Sequence, residues 1–165
     1  VAAWFVWRLQ CWLRSRGGLV LGSGVRFGVS PHRGRKPDVS VYFAARRPPP
    51  HGLVTTPPDI MIEIVSPRPR DARRYRVKKT NEYAAFGVRF YRIADPAIRS
   101  FEIFELRSDG RYVRALSAAY GIVAAVPGCE GLVIDLDALW ADVNQLGSRA
   151  RRSWRRRLSG RALDG

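Results

Sequence analysis

Sulfur and imidazole are scarce in this chain, whose 165 residues hold two cysteines, Cys11 and Cys129, and two histidines, His32 and His51. With no CxxC pair and so few ligating side chains, neither a structural zinc site nor a disulfide framework is expected. The pattern suits a reducing compartment, and a cytoplasmic protein is expected. Apolar runs long enough to span a bilayer are also missing. The opening VAAWFVWRLQCWLR is interrupted by Arg8 and Gln10 and falls short of the ~20 residues a span requires. It has neither a basic start nor a small-residue cleavage site, so no signal peptide is expected. The chain begins with Val rather than Met, which fits a start further upstream. No internal repeat, no Gly-rich phosphate loop and no grouping of serine, histidine and acid for covalent catalysis stands out.

Acids are the other shortage. Fourteen Asp and Glu face 29 Lys and Arg, a formal charge of +15. Such an excess favours polyanionic partners, because basic side chains facing phosphates release condensed counterions; nucleic acid comes first and an anionic membrane surface second. The charge is uneven, with seven arginines in the run RARRSWRRRLSGR from Arg149 to Arg161. Like-charge blocks of this kind are commonly solvated tails. One domain over residues 1–146, followed by a basic, disordered tail over 147–165, is therefore expected. Trp154 inside the tail has the chemistry to stack on a base.

Along the chain, the opening segment reads as a core-packing helix, with Trp4, Phe5, Arg8, Cys11 and Trp12 on one side and Val6, Leu9 and Leu13 on a neighbouring arc. RGGLVLGSG reads as glycine punctuation, VRFGVS as a half-buried strand, PHRGRKP as a basic turn, and DVSVYF as a second strand with Asp38 at its start. AARRPPPHGLVTTPP has the composition of a loop and is the expected flap. DIMIEIV is a nearly continuous apolar run, the pattern of a central strand buried on both faces. Asp71 is placed to cap a helix from about Ala72 to Phe86 that Gly87 ends. Tyr75, Lys79, Glu82, Tyr83 and Phe86 share a face of that helix. VRFYRIAD then reads as a strand, FEIFEL and RYVRAL as a hairpin around RSDG, GLVIDL as a short strand, and DALWADVNQL as an amphipathic helix with Asp137 as its cap. The order of elements predicts an α/β (α+β) sandwich with a mixed central sheet flanked by helices.

One residue breaks this pattern. Glu63 sits inside the apolar run, where a carboxylate costs about 2 kcal/mol or more unless it is paired or binds a metal. Asp38 on one strand, Glu63 on another and Lys79 on the next helix are the minimum equipment for metal-assisted hydrolysis of a phosphodiester. Each has an ordinary reading too: Asp38 as a turn acid, Glu63 in a salt bridge, Lys79 as a solvated lysine. Asp59 lies on the strand face of Glu63 by alternation and is an auxiliary candidate. Lys78 is the rival of Lys79, about 100° away around the helix. Tyr83 is read as a packing residue and kept as an auxiliary candidate. Arg33, Arg35 and Lys36 in the basic turn, with Arg151, Arg152 and Arg155 in the tail, are the candidate nucleic-acid contacts.

The stretches GRKPDVSVYF, PPDIMIEIVSPRPRD, KKTNEYAAFGVRFYRIADP, FEIFEL and PGCEGLVIDLDALW resemble the Uma family of small bacterial restriction-endonuclease-like proteins, within the superfamily whose signature is written PD-(D/E)xK. The resemblance spans roughly residues 20 to 143. It implies a restriction-endonuclease-like core with an added hairpin and C-terminal helix, and an endonuclease acting on DNA. It implies Asp38 and Glu63 as ligands of magnesium or manganese and Lys79 as the charge-stabilising group. In the general pattern the lysine stands two residues after the strand acid, where this chain has Val65; the match here is Lys79, four residues before Tyr83. The chain departs from the family at Tyr75 and near Gly24, where acids are usual, and at Arg92, where an aromatic is usual. Nucleases of this type that cut both strands often act as homodimers. Two further readings stand beside the enzyme: a nucleic-acid-binding protein that keeps the fold without catalysis, and an interaction module whose charge attracts an acidic protein.

Overall fold

Runs rich in β-branched and aromatic residues pair here into a main sheet whose central strands are buried on both faces and so take cover from two layers. The computed structural model describes residues 1–66 and 72–145, with the side chains of 72–76 left aside. Helix α1 (Ala2–Leu13) leads to strand β1 (Leu19–Gly22), a small hairpin of β2 (Phe27–Ser30) and β3 (Arg33–Arg35), and then β4 (Val39–Tyr42) and β5 (Ile60–Ile64). Helix α2 (Ala72–Phe86) crosses to β6 (Phe90–Asp95), followed by the hairpin of β7 (Ser100–Leu106) and β8 (Tyr112–Ala118). Two short strands, β9 (Ile122–Val123) and β10 (Ile134–Asp135), precede helix α3 over residues 136–145.

The main sheet is mixed, in the order β1-β4-β5-β6-β7-β8. Within it β5 and β6 are parallel, joined by the α2 crossover, and the other neighbours are antiparallel. Alternation along the strands divides the apolar residues between two layers. Ile60, Ile62, Phe90 and Ala94 face one core with Phe5, Leu9 and Leu13 of α1 and with Leu136, Leu139 and Trp140 of α3. Met61, Tyr91 and Ile93 face the other, with Tyr83 of α2 and Phe27 of the β2–β3 hairpin. The predicted sandwich with a mixed sheet is what forms. No helix among the described residues is long and apolar enough to cross a membrane.

Several local expectations are corrected. The buried stripe of α1 is Phe5, Leu9 and Leu13, one residue per turn, while Cys11 and Trp7 are exposed and Trp12 lies on the shoulder. LVLG is an edge strand, since backbone pairing with β4 outweighs the glycines that flank it. The basic turn contains β3, whose pairing with β2 needs only three residues. The expected flap is tied down in its second half: Val54 is buried, accepts a bond from the Gly28 amide at 2.9 Å and donates to Arg26 at 3.2 Å, while the Tyr42 hydroxyl donates to the Thr56 carbonyl at 2.6 Å. Helix α3 is capped by Asp135, which accepts from the Ala138 amide at 2.9 Å, and Asp137 is exposed. Asp71 and the tail, with Trp154, lie outside the described residues.

Helix α2 ends as its glycine requires. Gly87 has φ of 90°, its amide reaches the Ala84 carbonyl, and the Val88 amide reaches back to Tyr83, the double closure that a left-handed glycine makes possible. This stop seats Tyr83 and Val88, both fully buried, between helix and sheet.

The residue at odds with its surroundings is Arg92, in the middle of β6 on the α1 side and 0% exposed. Its Nη2 donates to the Pro127 carbonyl at 3.2 Å and to Cys129 Sγ at 2.9 Å, while Nε and Nη1 have no partner among the described residues. A guanidinium stays charged in any environment, so its burial without a carboxylate is a standing cost. An apolar chain of similar length removes that cost. Arg92→Met is expected to raise stability by about 1–4 kcal/mol, measured by urea denaturation; a loss of stability would mean that the guanidinium is better compensated than these contacts allow.

Candidate active site

The site is assembled by strand register. Val39 of β4 pairs with Ile62 of β5, so Asp38, one step earlier on its strand, stands across from Glu63. Asp38 is half-buried and accepts a hydrogen bond from the Ile64 amide at 2.8 Å, which fixes its carboxylate beside the end of β5. Glu63 is buried on the α2 side of the sheet. From α2, one turn apart on the same face, Tyr83 donates its hydroxyl to Glu63 Oε1 at 2.6 Å and Lys79 Nζ meets Oε2 at 2.7 Å. The three residues expected to carry the chemistry, Asp38, Glu63 and Lys79, are thus brought to one place.

The electrostatics follow from burial. Loss of water pushes the Glu63 carboxyl above the ordinary carboxylate value; Lys79 and the Tyr83 hydroxyl pull it back, the Asp38 charge pushes it up again, and the balance is upward. Burial, and then the adjacent Glu63, hold the Tyr83 phenol far above its usual range. It is therefore a permanent donor. Two carboxylates side by side repel each other and gain from a shared cation, and their oxygen donors match a hard divalent ion. Among the described residues no group of three or more His, Cys, Asp and Glu is assembled for a metal. A pair of carboxylates suits magnesium, which keeps several waters and takes further ligands from substrate phosphate.

The other candidates fall elsewhere. Lys78 is exposed and off the Glu63 face of the helix. Asp59 precedes β5 at the opposite end of that strand, where it accepts from the Phe43 amide at 2.7 Å and lies 3.8 Å from Arg46 Nη1. Shared strand face did not bring it to Glu63, because four residues of extended chain separate them by about 13 Å. Arg33 and Arg35, expected as phosphate contacts, both bind Glu82: Arg33 Nη1 takes Oε1, and Arg35 Nε takes Oε2 at 2.6 Å. Lys36 is exposed. Arg151, Arg152 and Arg155 lie outside the described residues, and so does the side chain of Tyr75.

Two participants were under-read. Tyr83 packs against Tyr91, with ring centroids 5.2 Å apart, and also serves the acid through its hydroxyl. Glu82, one residue before it, collects two arginines. The signal was present, since 79, 82 and 83 fall together by three- and four-residue spacing, but spacing alone did not say what each would touch.

Residues 1–137 match the profile of the Uma2 family, described as "Putative restriction endonuclease". The chain belongs to the Uma2 family. The fold agrees with a crystal structure described as a "putative nuclease belonging to DUF820" from Anabaena variabilis, with a TM-score of 0.61 at 16% identity over 85% of this chain and 78% of that one. No curated protein matches. This Uma2 chain therefore combines a nuclease-like fold with an acid pair at one end of the paired strands β4 and β5.

Two outcomes are expected. Tyr83→Phe leaves the buried Glu63 without one donor and should cost about 1–3 kcal/mol in urea denaturation. For Glu82, burial pushes the carboxyl up, but bonds to Arg35 and Arg33 outweigh it and hold it below its ordinary 4.5. The native state then binds fewer protons than the unfolded state, so this contribution is present above the ordinary value and is lost as pH falls through the lowered one. The stability difference between wild type and Glu82→Gln is expected to be flat from neutral pH down to about 4.5 and to shrink below it; a difference unchanged in acid would remove the role of the ionised carboxylate.

Proposed function

We propose that this chain is a divalent-metal-dependent endonuclease that hydrolyses phosphodiester bonds of DNA. The observation that carries the reading is the placement of Asp38 and Glu63 on adjacent strands with Lys79 on the second acid. Asp38 and Glu63 would hold magnesium or manganese, which when bound polarises the scissile phosphate and acidifies an attacking water. Tyr83, always protonated, holds one oxygen of Glu63 and so fixes the direction in which its remaining lone pairs point. Lys79 balances the buried acid in the free protein and lies where it can turn to a phosphate oxygen as negative charge develops there. Lys36 and Lys78 are exposed and add to the positive surface that would attract a polyanion. The tail arginines add to attraction at longer range. The expected setting is the cytoplasm, and cutting both strands of a duplex would call on two copies.

A second reading has its own observation. Both oxygens of Glu63 are already engaged, by Tyr83 and Lys79, as they would be in a buried salt bridge that serves only the fold. Position 24, where the family commonly has an acid, is an exposed glycine. A nucleic-acid-binding protein without catalysis would look the same at these residues.

Nicking of supercoiled plasmid separates the two. With magnesium or manganese the wild type is expected to nick and to stop when a chelator is added. Glu63→Ala should abolish nicking, and Lys79→Ala should slow it by about 10²-fold. Salt-sensitive binding with no nicking under either metal would sink the enzymatic reading and leave the binding protein.

A further inference from the structure

Glu82 is one of only 14 acids in a chain with 29 basic residues, and it is committed to two arginines of the same short strand. Arg33 and Arg35 stand two residues apart on β3 and so point the same way, and each takes a different oxygen of the carboxylate. Exposed ion pairs contribute little, yet the Arg35 and Glu82 side chains are each only 16% exposed. A two-armed contact of this kind fixes orientation as well as distance.

The chain path gives that contact a consequence. Between Arg35 and Asp38 lie Lys36 and Pro37. Pro37 is buried and its ring fixes φ, and Lys36, as the residue before a proline, is held extended. A shift of β3 is therefore passed to Asp38 with little slack. The apolar part of the hairpin is held separately, by Phe27 against Phe86 of α2, with ring centroids 6.4 Å apart and nearly perpendicular. The same helix face carries Lys79 and Tyr83, which hold Glu63. Helix α2 thus has a tie to each acid, direct for Glu63 and indirect for Asp38.

We infer that Glu82 is a positioning residue that sets the place of Asp38 relative to Glu63 through Arg33, Arg35 and Pro37. The two arginines are a latch between helix and hairpin in the free protein. The inference deepens the nuclease reading and depends on it only for its effect on metal binding; the placement of Asp38 stands or falls separately.

The test follows from the bond between Asp38 and the Ile64 amide. Hydrogen exchange is measured residue by residue in the full chain for wild type, Glu82→Gln and Arg35→Gln, which open the latch from opposite sides. Exchange at Ile64 is expected to rise about tenfold or more in both variants, while amides of the β7–β8 hairpin keep their rates. Ile64 unchanged in both, or a uniform rise at all amides that signals only lower stability, would overturn the inference. In a second measurement, calorimetric titration with manganese, both variants should bind 10 to 100-fold more weakly than wild type. Wild-type affinity in both would also overturn it. If wild type itself binds no manganese and nicks no plasmid, the nuclease reading fails, and the Ile64 rates still decide the role of Glu82.

Discussion

The buried Glu63 carboxylate is the constraint around which this molecule is arranged. An acid in a central strand demands partners, and they come from one face of α2, where Lys79 and Tyr83 take its two oxygens. That demand helps fix the rotation of α2 on the sheet. Its end is set by Gly87, whose left-handed turn stops the helix one turn beyond Tyr83. Because the crossover also brings β6 parallel to β5, the same helix joins the sheet's middle to its site.

The site side and the opposite side of the sheet handle charge in contrasting ways. Toward α2, Glu63 and Glu82 each meet basic groups at close range. Toward α1, Arg92 is enclosed with a carbonyl and a thiol for company. The first arrangement balances charge with charge, and the second only lessens the loss of water. The apolar core around Arg92 includes Ile62, Phe90, Ala94 and Ile103, so a guanidinium stands there among residues that offer it no charge.

Much of the sandwich was legible because burial on two faces leaves a strong mark: the apolar run around Glu63, the helix that Gly87 ends and the hairpin around RSDG all form where the pattern put them. The short strands β1, β3 and β9 were not, since two to four residues carry no periodicity and their pairing is decided by partners far away in sequence. Glu63 could be named from the sequence because a carboxylate inside an apolar run has to be accounted for, whereas Asp38 and Lys79 were joined to it by the order of elements and the family resemblance. Asp59 shows the limit, as alternation reports the face of a strand and says nothing of which end is meant. Arg33 and Arg35 show another, since composition marks them as phosphate ligands while their partner, Glu82, lies 49 and 47 residues further on.

The bonds that define the site all reach across the chain. Asp38 and Ile64 are 26 residues apart, and Tyr83 and Glu63 are 20 apart. None of them is available to a helix or a hairpin forming by itself. A nascent or partly unfolded chain therefore carries its full positive charge while the two acids remain far apart. Charge is present before the site is: pairing of β4 with β5 brings the two carboxylates together, and docking of α2 then gives Glu63 its partners.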